Sequence, residues 1–228
     1  MNALLTRIAI AFGVLMSATG AGAQIVVDPF FVPTSLLEAT PGNPVFEDSP
    51  LVIGSFNAGR RLTASAQGSF VIDTEINGTN LIVDGGRSNP NDPNQGSADI
   101  ILDYEGFSLN LGSNVFFEFQ VNEVIGTPIL GLILTNTSVG SILSAGASLT
   151  PTNSGYSIFI DIRTLNNFTP AFLNGIDEIQ VLIGDTNEEF FVVGQLIQFS
   201  PVPEPSTAAL LAVAGVWLFA CRRRHSQA

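Results

Sequence analysis

Short segments rich in Val, Ile and Phe recur along the chain, and clusters of Gly, Asn, Pro and Asp separate them. In the clearest segment, residues 115–122, Phe117, Phe119 and Val121 fall on one face and polar residues fall on the other. A period of two is the pattern of a half-buried β-strand. Because no window sustains a helical period, the sequence predicts an all-β domain.

The strongest local signal is a hairpin. Residues 70–76 and 79–84 flank Asn77-Gly78, a pair favoured where both central residues of a turn need positive φ. At most a turn of helix is expected near residues 35–39 and 170–173. Other predicted strands are residues 51–56, 62–66, 100–104, 129–134, 157–162, 178–183 and 190–199. About ten short strands in one domain predict an antiparallel β-sandwich of the jelly-roll or Greek-key type.

The N-terminus has the three parts of a secretory signal peptide. Arg7 gives the basic start, residues 8–16 the apolar stretch, and Ala21 and Ala23 the small-residue cleavage site. A membrane anchor is disfavoured because the apolar stretch is shorter than the ~20 residues needed to cross a bilayer. We therefore expect export and cleavage by signal peptidase, with Gln24 as the first mature residue.

The C-terminus predicts a second targeting element. Residues 208–221 are apolar and hold the only tryptophan, and Arg222, Arg223 and Arg224 follow directly. At about 1.5 Å per residue this short transmembrane helix covers about 21 Å, less than the ~30 Å hydrocarbon core. The positive-inside rule keeps the arginines in the cytoplasm and the body outside. These residues alone also fit a plain, short stop-transfer helix.

The motif Val202-Pro203-Glu204-Pro205, with the apolar stretch and the arginine cluster behind it, resembles the PEP-CTERM sorting signal of Gram-negative bacteria. The resemblance implies transient inner-membrane insertion and processing by an exosortase, a membrane-embedded transpeptidase-like enzyme. It also implies an exported cell-surface or extracellular protein of the kind associated with exopolysaccharide, biofilm or floc formation. Unrelated domains carry the same tail, so it does not identify the activity of the body.

The chain is therefore expected to have three parts. They are a signal peptide at residues 1–23, a β-sandwich at 24–200 and a sorting signal at 201–228, the last with its motif at 202–207, membrane stretch at 208–221 and basic tail at 222–228.

The body is also similar to a recurrent β-rich domain found ahead of PEP-CTERM tails. The similarity is carried by Gly59-Arg60-Arg61, residues 101–106, Leu109-Asn110-Leu111-Gly112 and the Phe-rich strand that follows. That domain has no established activity to carry over.

The charge balance excludes nucleic acid as a partner. The chain has a formal net charge of −12 and no lysine. The basic residues between the two targeting segments are Arg60, Arg61, Arg87 and Arg163. Phosphate binding needs clustered Lys or Arg, which this body lacks.

The positions of cysteine and histidine exclude several catalytic sites. The only cysteine, Cys221, and the only histidine, His225, lie in the tail. The body therefore has no disulfide, no Ser-His-Asp or Cys-His site and no zinc site built on His or Cys. Carboxylate chemistry and oxygen-ligated metals remain.

The loop at residues 84–99 is rich in oxygen ligands. Asp84, Asn91, Asp92 and Asp99 are of the type that calcium prefers, although the spacing lacks the glutamate of an EF-hand. The alternative is a solvated loop in which Asn, Asp and Pro serve as turn residues. Calcium is the one cofactor the sequence leaves open, and no other is expected.

Two carboxylate pairs share strand faces, Asp73 with Glu75 and Asp103 with Glu105. Paired carboxylates can hydrolyse glycosides. Acidic residues at alternate positions are also typical of the solvent face of an antiparallel sheet.

Three other residues are candidates for ligand binding or ion pairing. Tyr156 is the best candidate for an exposed ring that stacks on a sugar, because most phenylalanines are expected in the core. Arg60 and Arg61 are expected to pair with carboxylates on nearby strands. The alternative for the arginines is binding to an acidic polysaccharide.

The sequence thus predicts an exported, exosortase-processed structural protein of the cell surface or extracellular matrix, without catalytic activity. One alternative is an adhesive module that binds glycan or calcium. The other is a carboxylate-dependent glycan hydrolase.

Overall fold

The computed structural model describes residues 24–53, 55–87, 96–186 and 188–201. Strands dominate it, with three short 3₁₀ turns between them. The strands are β1 (Ile25–Asp28), β2 (Leu37–Ala39), β3 (Val45–Ile53), β4 (Phe56–Gln67), β5 (Phe70–Asn77), β6 (Asn80–Arg87), β7 (Ser97–Asn110), β8 (Phe116–Ile125), β9 (Ile129–Asn136), β10 (Ser141–Ser148), β11 (Tyr156–Asp161), β12 (Asn174–Thr186) and β13 (Phe190–Ser200).

The strands form two antiparallel sheets. The seven-stranded sheet has the order β11-β8-β13-β6-β5-β2, with β1 pairing to β13 beside that path, and the six-stranded sheet has the order β10-β9-β12-β7-β4-β3. The pairs β3–β4, β5–β6 and β9–β10 are hairpins, whereas most other connections cross to the opposite sheet. The predicted all-β antiparallel sandwich is confirmed.

The hairpin predicted around Asn77-Gly78 is present, but its turn is shifted by one residue. Asn77 pairs with Asn80, so the two central residues are Gly78 and Thr79. Only Gly78 of these two has positive φ, at 72°. Glycine at the first central position is the requirement of a type II′ turn, whereas the sequence prediction assumed positive φ at both central positions.

Two local predictions were wrong and one was confirmed. Residues 51–56 form no single strand, because β3 ends at Ile53 and β4 begins at Phe56, and the predicted segment therefore spans a hairpin turn. The turn of helix expected near residues 35–39 is instead the short strand β2, which pairs with β5. The 3₁₀ turn Pro170–Leu173 matches the second helical expectation.

One hydrophobic core lies between the sheets. On β4, for example, Leu62, Ala64 and Ala66 point inward and are buried, because successive strand residues alternate between faces. The Phe117 and Phe199 rings meet edge to face, with their centroids 5.9 Å apart. Every buried core residue of the described part lies between β1 and β13. This core is the physical basis for expecting residues 24–201 to fold without the targeting segments.

Candidate functional site

Arg60 and Arg61 are neighbours on β4, and strand alternation sends them to opposite faces. Arg60 is buried between the sheets, and Arg61 is exposed on the outer face of the six-stranded sheet. Arg61 pairs with Asp48 on β3, with Nε 2.7 Å from Oδ1, and Arg60 pairs with Asp28 on β1. The prediction that each arginine pairs with a nearby carboxylate is confirmed.

The Arg60–Asp28 pair is the centre of a buried polar cluster. Arg60 Nη1 donates to Asp28 Oδ2 at 2.8 Å, and the Tyr104 hydroxyl donates to the same oxygen at 3.0 Å. The Phe30 amide donates to Asp28 Oδ1 at 2.7 Å, and Arg60 Nη2 donates to the Val32 carbonyl at 2.7 Å. The cluster holds the segment after β1 against β4 and β7. Its role in this structure is therefore to keep that segment in place.

Burial dominates the electrostatics of this cluster. It raises the pKa of Asp28, against the opposing effects of Arg60, the Phe30 amide and the Tyr104 hydroxyl. Burial and then the charge of Asp28 raise the pKa of Tyr104 well above its ordinary value. Both side chains are buried and hydrogen-bonded within the protein, so neither is accessible to a ligand in solvent.

A line of polar side chains crosses the outer face of the six-stranded sheet. Asp48 on β3, Arg61 on β4, Asp103 on β7 and Gln180 on β12 lie directly opposite one another in register. We call these four residues the polar row. Burial, followed by the charges of the acidic neighbours Glu178 and Glu105, raises the pKa of Asp103.

An exposed aromatic ring lies beside the polar row. Phe46 on β3 is 62% exposed, and the Arg61 guanidinium carbon lies 5.1 Å from its ring centroid. A surface depression next to this pair is lined by Asp48, Pro50, Gly59, Arg61 and Glu105, among others. Guanidinium, carboxylate and amide groups next to an accessible ring can hydrogen-bond hydroxyl groups and stack on an apolar ring face.

The second carboxylate pair lies on the outer face of the other sheet. Asp73 on β5 faces Glu38 on β2 and Asp84 on β6 in register. Burial and then the charge of Glu38 raise the pKa of Asp73, and burial, Asp73 and Glu189 raise the pKa of Asp84. Both predicted pairs thus occupy outward faces of the sandwich, as the solvent-face interpretation expects.

The structure separates the described members of the predicted calcium set. Asp84 points out from the seven-stranded sheet, and Asp99 points out from the six-stranded sheet, where it accepts a hydrogen bond from Ser65 Oγ at 2.7 Å. The sandwich lies between them, so they do not share one ion. Asn91 and Asp92 lie outside the described residues. Within the described ranges no group of three or more His, Cys, Asp or Glu side chains could hold a metal.

Tyr156 is not placed as an exposed stacking platform. Its ring is half-buried at the start of β11 and packs against the core. Its hydroxyl accepts a hydrogen bond from the Thr150 amide at 2.7 Å. The side chain therefore closes the loop between β10 and β11.

The predicted targeting residues fall at or beyond the ends of the described part. Gln24 is its first residue and is exposed. The described ranges contain no helix with the length and apolar character needed to cross a bilayer. The remaining targeting residues lie outside the described residues: Ala21, Ala23, Val202, Pro203, Glu204, Pro205, Arg222, Arg223 and Arg224.

The family comparison identifies the tail. Residues 201–224 match the family model of the PEP-CTERM protein-sorting motif. The chain carries a PEP-CTERM sorting signal. The resemblance expected from the sequence is confirmed, and the signal marks the chain as an exported protein of the exosortase-processed type. The match begins directly after β13, which ends at Ser200. No curated protein is significantly similar to the chain.

Several solved sandwich structures are similar to the body at low scores. A family 11 carbohydrate-binding module from Clostridium thermocellum, in complex with a β-1,3-1,4-mixed-linked tetrasaccharide, is 13% identical with a TM-score of 0.43, and the match covers 81% of this chain and 100% of that chain. A DUF4465 family protein from Bacteroides caccae is 9% identical with a TM-score of 0.29, covering 81% and 95%. Values this low say nothing about a ligand of this chain.

Sequence reasoning missed the polar row and the partners of Arg60. The row has a weak sequence signal, because each member is a polar residue in an alternating strand. Its assembly depends on the register of four strands, which the sequence pattern does not specify.

Proposed function

We propose that the mature protein is a non-catalytic structural component of the cell surface or extracellular matrix, attached or released through its PEP-CTERM tail. The observation that carries this proposal is the connection between the fold and the tail. The sorting motif begins at residue 201, directly after β13, which is an internal strand of the seven-stranded sheet.

An internal strand is a suitable anchor for a protein held by its C-terminus. β13 pairs with β8 from Phe191 to Ser200 along one side, and with β6 and β1 along the other. A pull on the C-terminus therefore acts along the strand and loads many backbone hydrogen bonds together, instead of opening them one at a time. Backbone hydrogen bonds on both sides keep the strand in place.

The chemistry of the described body is consistent with this role. Its most deeply buried ionisable groups are Asp28, Arg60 and Tyr104, and both Arg60 and Tyr104 donate hydrogen bonds to Asp28. Its outward carboxylates are spread over two opposite faces of the sandwich. A structural role uses the rigidity of the sandwich and needs no cofactor.

The sorting route is tested by following the full chain in a Gram-negative host that contains an exosortase. We expect the wild-type chain to reach the surface or matrix fraction, and a chain with Pro203, Glu204 and Pro205 changed to Ala to stay in the inner membrane. Ser206→Ala is the matched control and should behave as wild type. Wild-type protein that remains soluble in the periplasm would contradict the proposal.

The non-catalytic role is tested separately by incubating residues 24–201 with a panel of polysaccharides. We expect no release of reducing ends. Turnover that disappears in Asp103→Asn or Asp73→Asn would establish the hydrolase alternative.

A second candidate function is glycan binding at the polar row. The specific observation is the exposed Phe46 ring beside Arg61 and Asp48. We expect Phe46→Ala and Arg61→Ala to weaken binding to an extracellular polysaccharide about tenfold, which corresponds to about 1.4 kcal/mol. Phe159→Ala, which removes an exposed ring from β11 in the other sheet, is the matched control. Equal affinity of all variants would remove this candidate.

A further inference from the structure

β10 is a terminal strand of the six-stranded sheet. Its pairing with β9 is regular over its whole length, from Ser141 opposite Asn136 to Ser148 opposite Ile129, without a bulge. On its other side no strand of the described part pairs with it. A straight edge of this kind is a template for another strand.

The hydrogen bonds of the hairpin show which backbone groups of β10 point away from β9. The Leu149 amide donates to the Pro128 carbonyl at 2.8 Å, one step beyond the last β10–β9 pair. Antiparallel ladders alternate between hydrogen-bonded and non-hydrogen-bonded residues. The backbone amide and carbonyl groups of the odd-numbered residues of β10 therefore form the hydrogen bonds to β9. The amide and carbonyl groups that point away from the sheet belong to Ile142, Ser144, Gly146 and Ser148.

The other terminal strands of the two sheets carry features that block edge pairing. β3 contains Glu47, Asp48 and Pro50, and β1 and β2 are only four and three residues long. β11 ends at the exposed ion pair between Asp161 and Arg163. Charges, proline and short length are the usual protections of a sheet edge. β10 has the sequence SILSAGAS and carries none of them.

The charge distribution favours a second copy of this chain as the partner. The chain carries a net charge of −12, yet residues 124–160, which include β9 and β10, contain no charged residue. A second copy that approaches along this edge therefore meets no charged side chain on either strand of the hairpin. Ile142 on β10 is 60% exposed, and Ile129 and Ile133 on β9 are 51% and 38% exposed on the same outer face.

We propose that β10 pairs with β10 of a second copy in antiparallel orientation, so that the two six-stranded sheets become continuous across a two-fold axis. Ala145 lies on the axis opposite Ala145 of the second copy. Ile142 then faces Ser148, and Ser144 faces Gly146, so that the outward backbone groups bond to one another. This pairing rests on the proposed function, because it gives the matrix component its means of self-association.

Sedimentation velocity on residues 24–201 across the micromolar range tests the pairing. We expect a reversible dimer in the wild type and at least about tenfold weaker dimerisation in Ile142→Lys, a loss of about 1.4 kcal/mol or more. Val52→Lys is the matched control. Val52 is 62% exposed on β3, the opposite edge of the same sheet, so this variant adds the same charge without touching β10. Thermal melting checks that all three proteins fold.

Cysteine trapping in the full, exported chain tests the register. Cys221→Ser removes the natural thiol, and Ala145→Cys then places one thiol beside the proposed axis. We expect a disulfide-linked dimer from Ala145→Cys and none from Val52→Cys in the same background.

A wild-type protein that stays monomeric, or a dimer that Ile142→Lys leaves intact, would overturn the pairing. Either result would leave the proposed function standing if the chain still reaches the surface. A dimer that forms while the full chain stays in the periplasm would instead contradict the proposed function alone.

Discussion

The Nη1 atom of Arg60 lies 2.8 Å from Oδ2 of Asp28, and neither side chain is exposed to solvent. This ion pair connects β4 in the six-stranded sheet to the end of β1, which pairs with β13 in the other sheet. Removing one partner of a buried ion pair leaves an uncompensated charge in the interior. The pair therefore holds the N-terminal segment of the body to the sandwich.

Arg60→Met is expected to lower the free energy of unfolding of residues 24–201 by about 3–5 kcal/mol, because Asp28 loses its partner while buried. Urea denaturation measures the change. Arg61→Met is the matched control: its ion pair with Asp48 is exposed, so little change is expected. The double variant Asp28→Leu/Arg60→Met should recover much of the loss. Equal effects of Arg60→Met and Arg61→Met would show that the buried pair has no special role.

The neighbouring carboxylates Glu38, Asp73 and Asp84 on the seven-stranded sheet predict that the stability of the fold depends on pH. The pKa of Asp73 is raised, so the folded state binds more protons than the unfolded state at pH values between 3.8 and the folded pKa. Asp73 therefore lowers stability as the pH rises through this window. Asp73→Asn is expected to raise the melting temperature at neutral pH, and the difference should vanish once the pH falls below 3.8.

Asp161 provides a control of opposite sign for the same measurement. Its hydrogen bond from Arg163 holds the pKa of Asp161 below the ordinary value. Asp161 thus contributes stability that is lost as the pH falls through its folded pKa. Asp161→Asn should lower the melting temperature at neutral pH and have no effect in strong acid. The interpretation fails if both asparagine variants shift the melting temperature in the same direction.

A side chain at Gly194 on β13 is expected to lower the stability of the fold. A Cβ atom built there lies 2.7 Å from Cζ of the buried Phe119 ring. Gly194→Ala should therefore cost about 1–3 kcal/mol of stability through overpacking. At Gly59 on β4 a Cβ atom meets nothing within 4 Å, so Gly59→Ala should be nearly neutral. Chemical denaturation of the two variants compares them directly, and an unfolding midpoint unchanged by Gly194→Ala would contradict the packing.

Asn136 is expected to be the main polar stabiliser of the β9–β10 turn. Its buried side chain donates to the Phe172 and Asn174 carbonyls at 3.0 and 2.8 Å and accepts from the Ser138 and Val139 amides at 3.0 and 3.3 Å. Asn136→Ala leaves these groups unpaired and should cost about 2–3 kcal/mol.

Asn110→Ala is the control for Asn136→Ala. Asn110 accepts one hydrogen bond, from the Gly112 amide at 3.0 Å, at an exposed turn. We expect a clearly smaller loss of stability, because water replaces the missing partner. Losses of similar size in the two variants would mean that the burial of Asn136 does not matter.

Much of the strand content could be predicted from the sequence, because alternation is a local property. Residues 190–199 are rich in Phe, Val and Ile, which favour strands, and form β13 with nearly the same limits. The prediction failed at residues 51–56 because it extended one strand through Gly54-Ser55, residue types that favour turns. The sequence also predicted that Arg61 pairs with a carboxylate on a neighbouring strand, because the sheet domain is acidic. It did not predict that this carboxylate is Asp48.

The sorting route and the all-β class could be read from the amino-acid sequence alone. Its PEP-CTERM tail is a contiguous motif that is read without folding, and period-two alternation over short segments specifies strands buried on one face. The contacts between residues far apart in the chain depend instead on how the strands are arranged in the folded protein. Asp28 lies 32 residues from Arg60 and 76 from Tyr104 in the chain, and the crossing of strands between the two sheets brings them into one cluster. The same holds for β10, because a strand becomes an edge only through the order of the sheet, which local hydrophobic patterns do not encode.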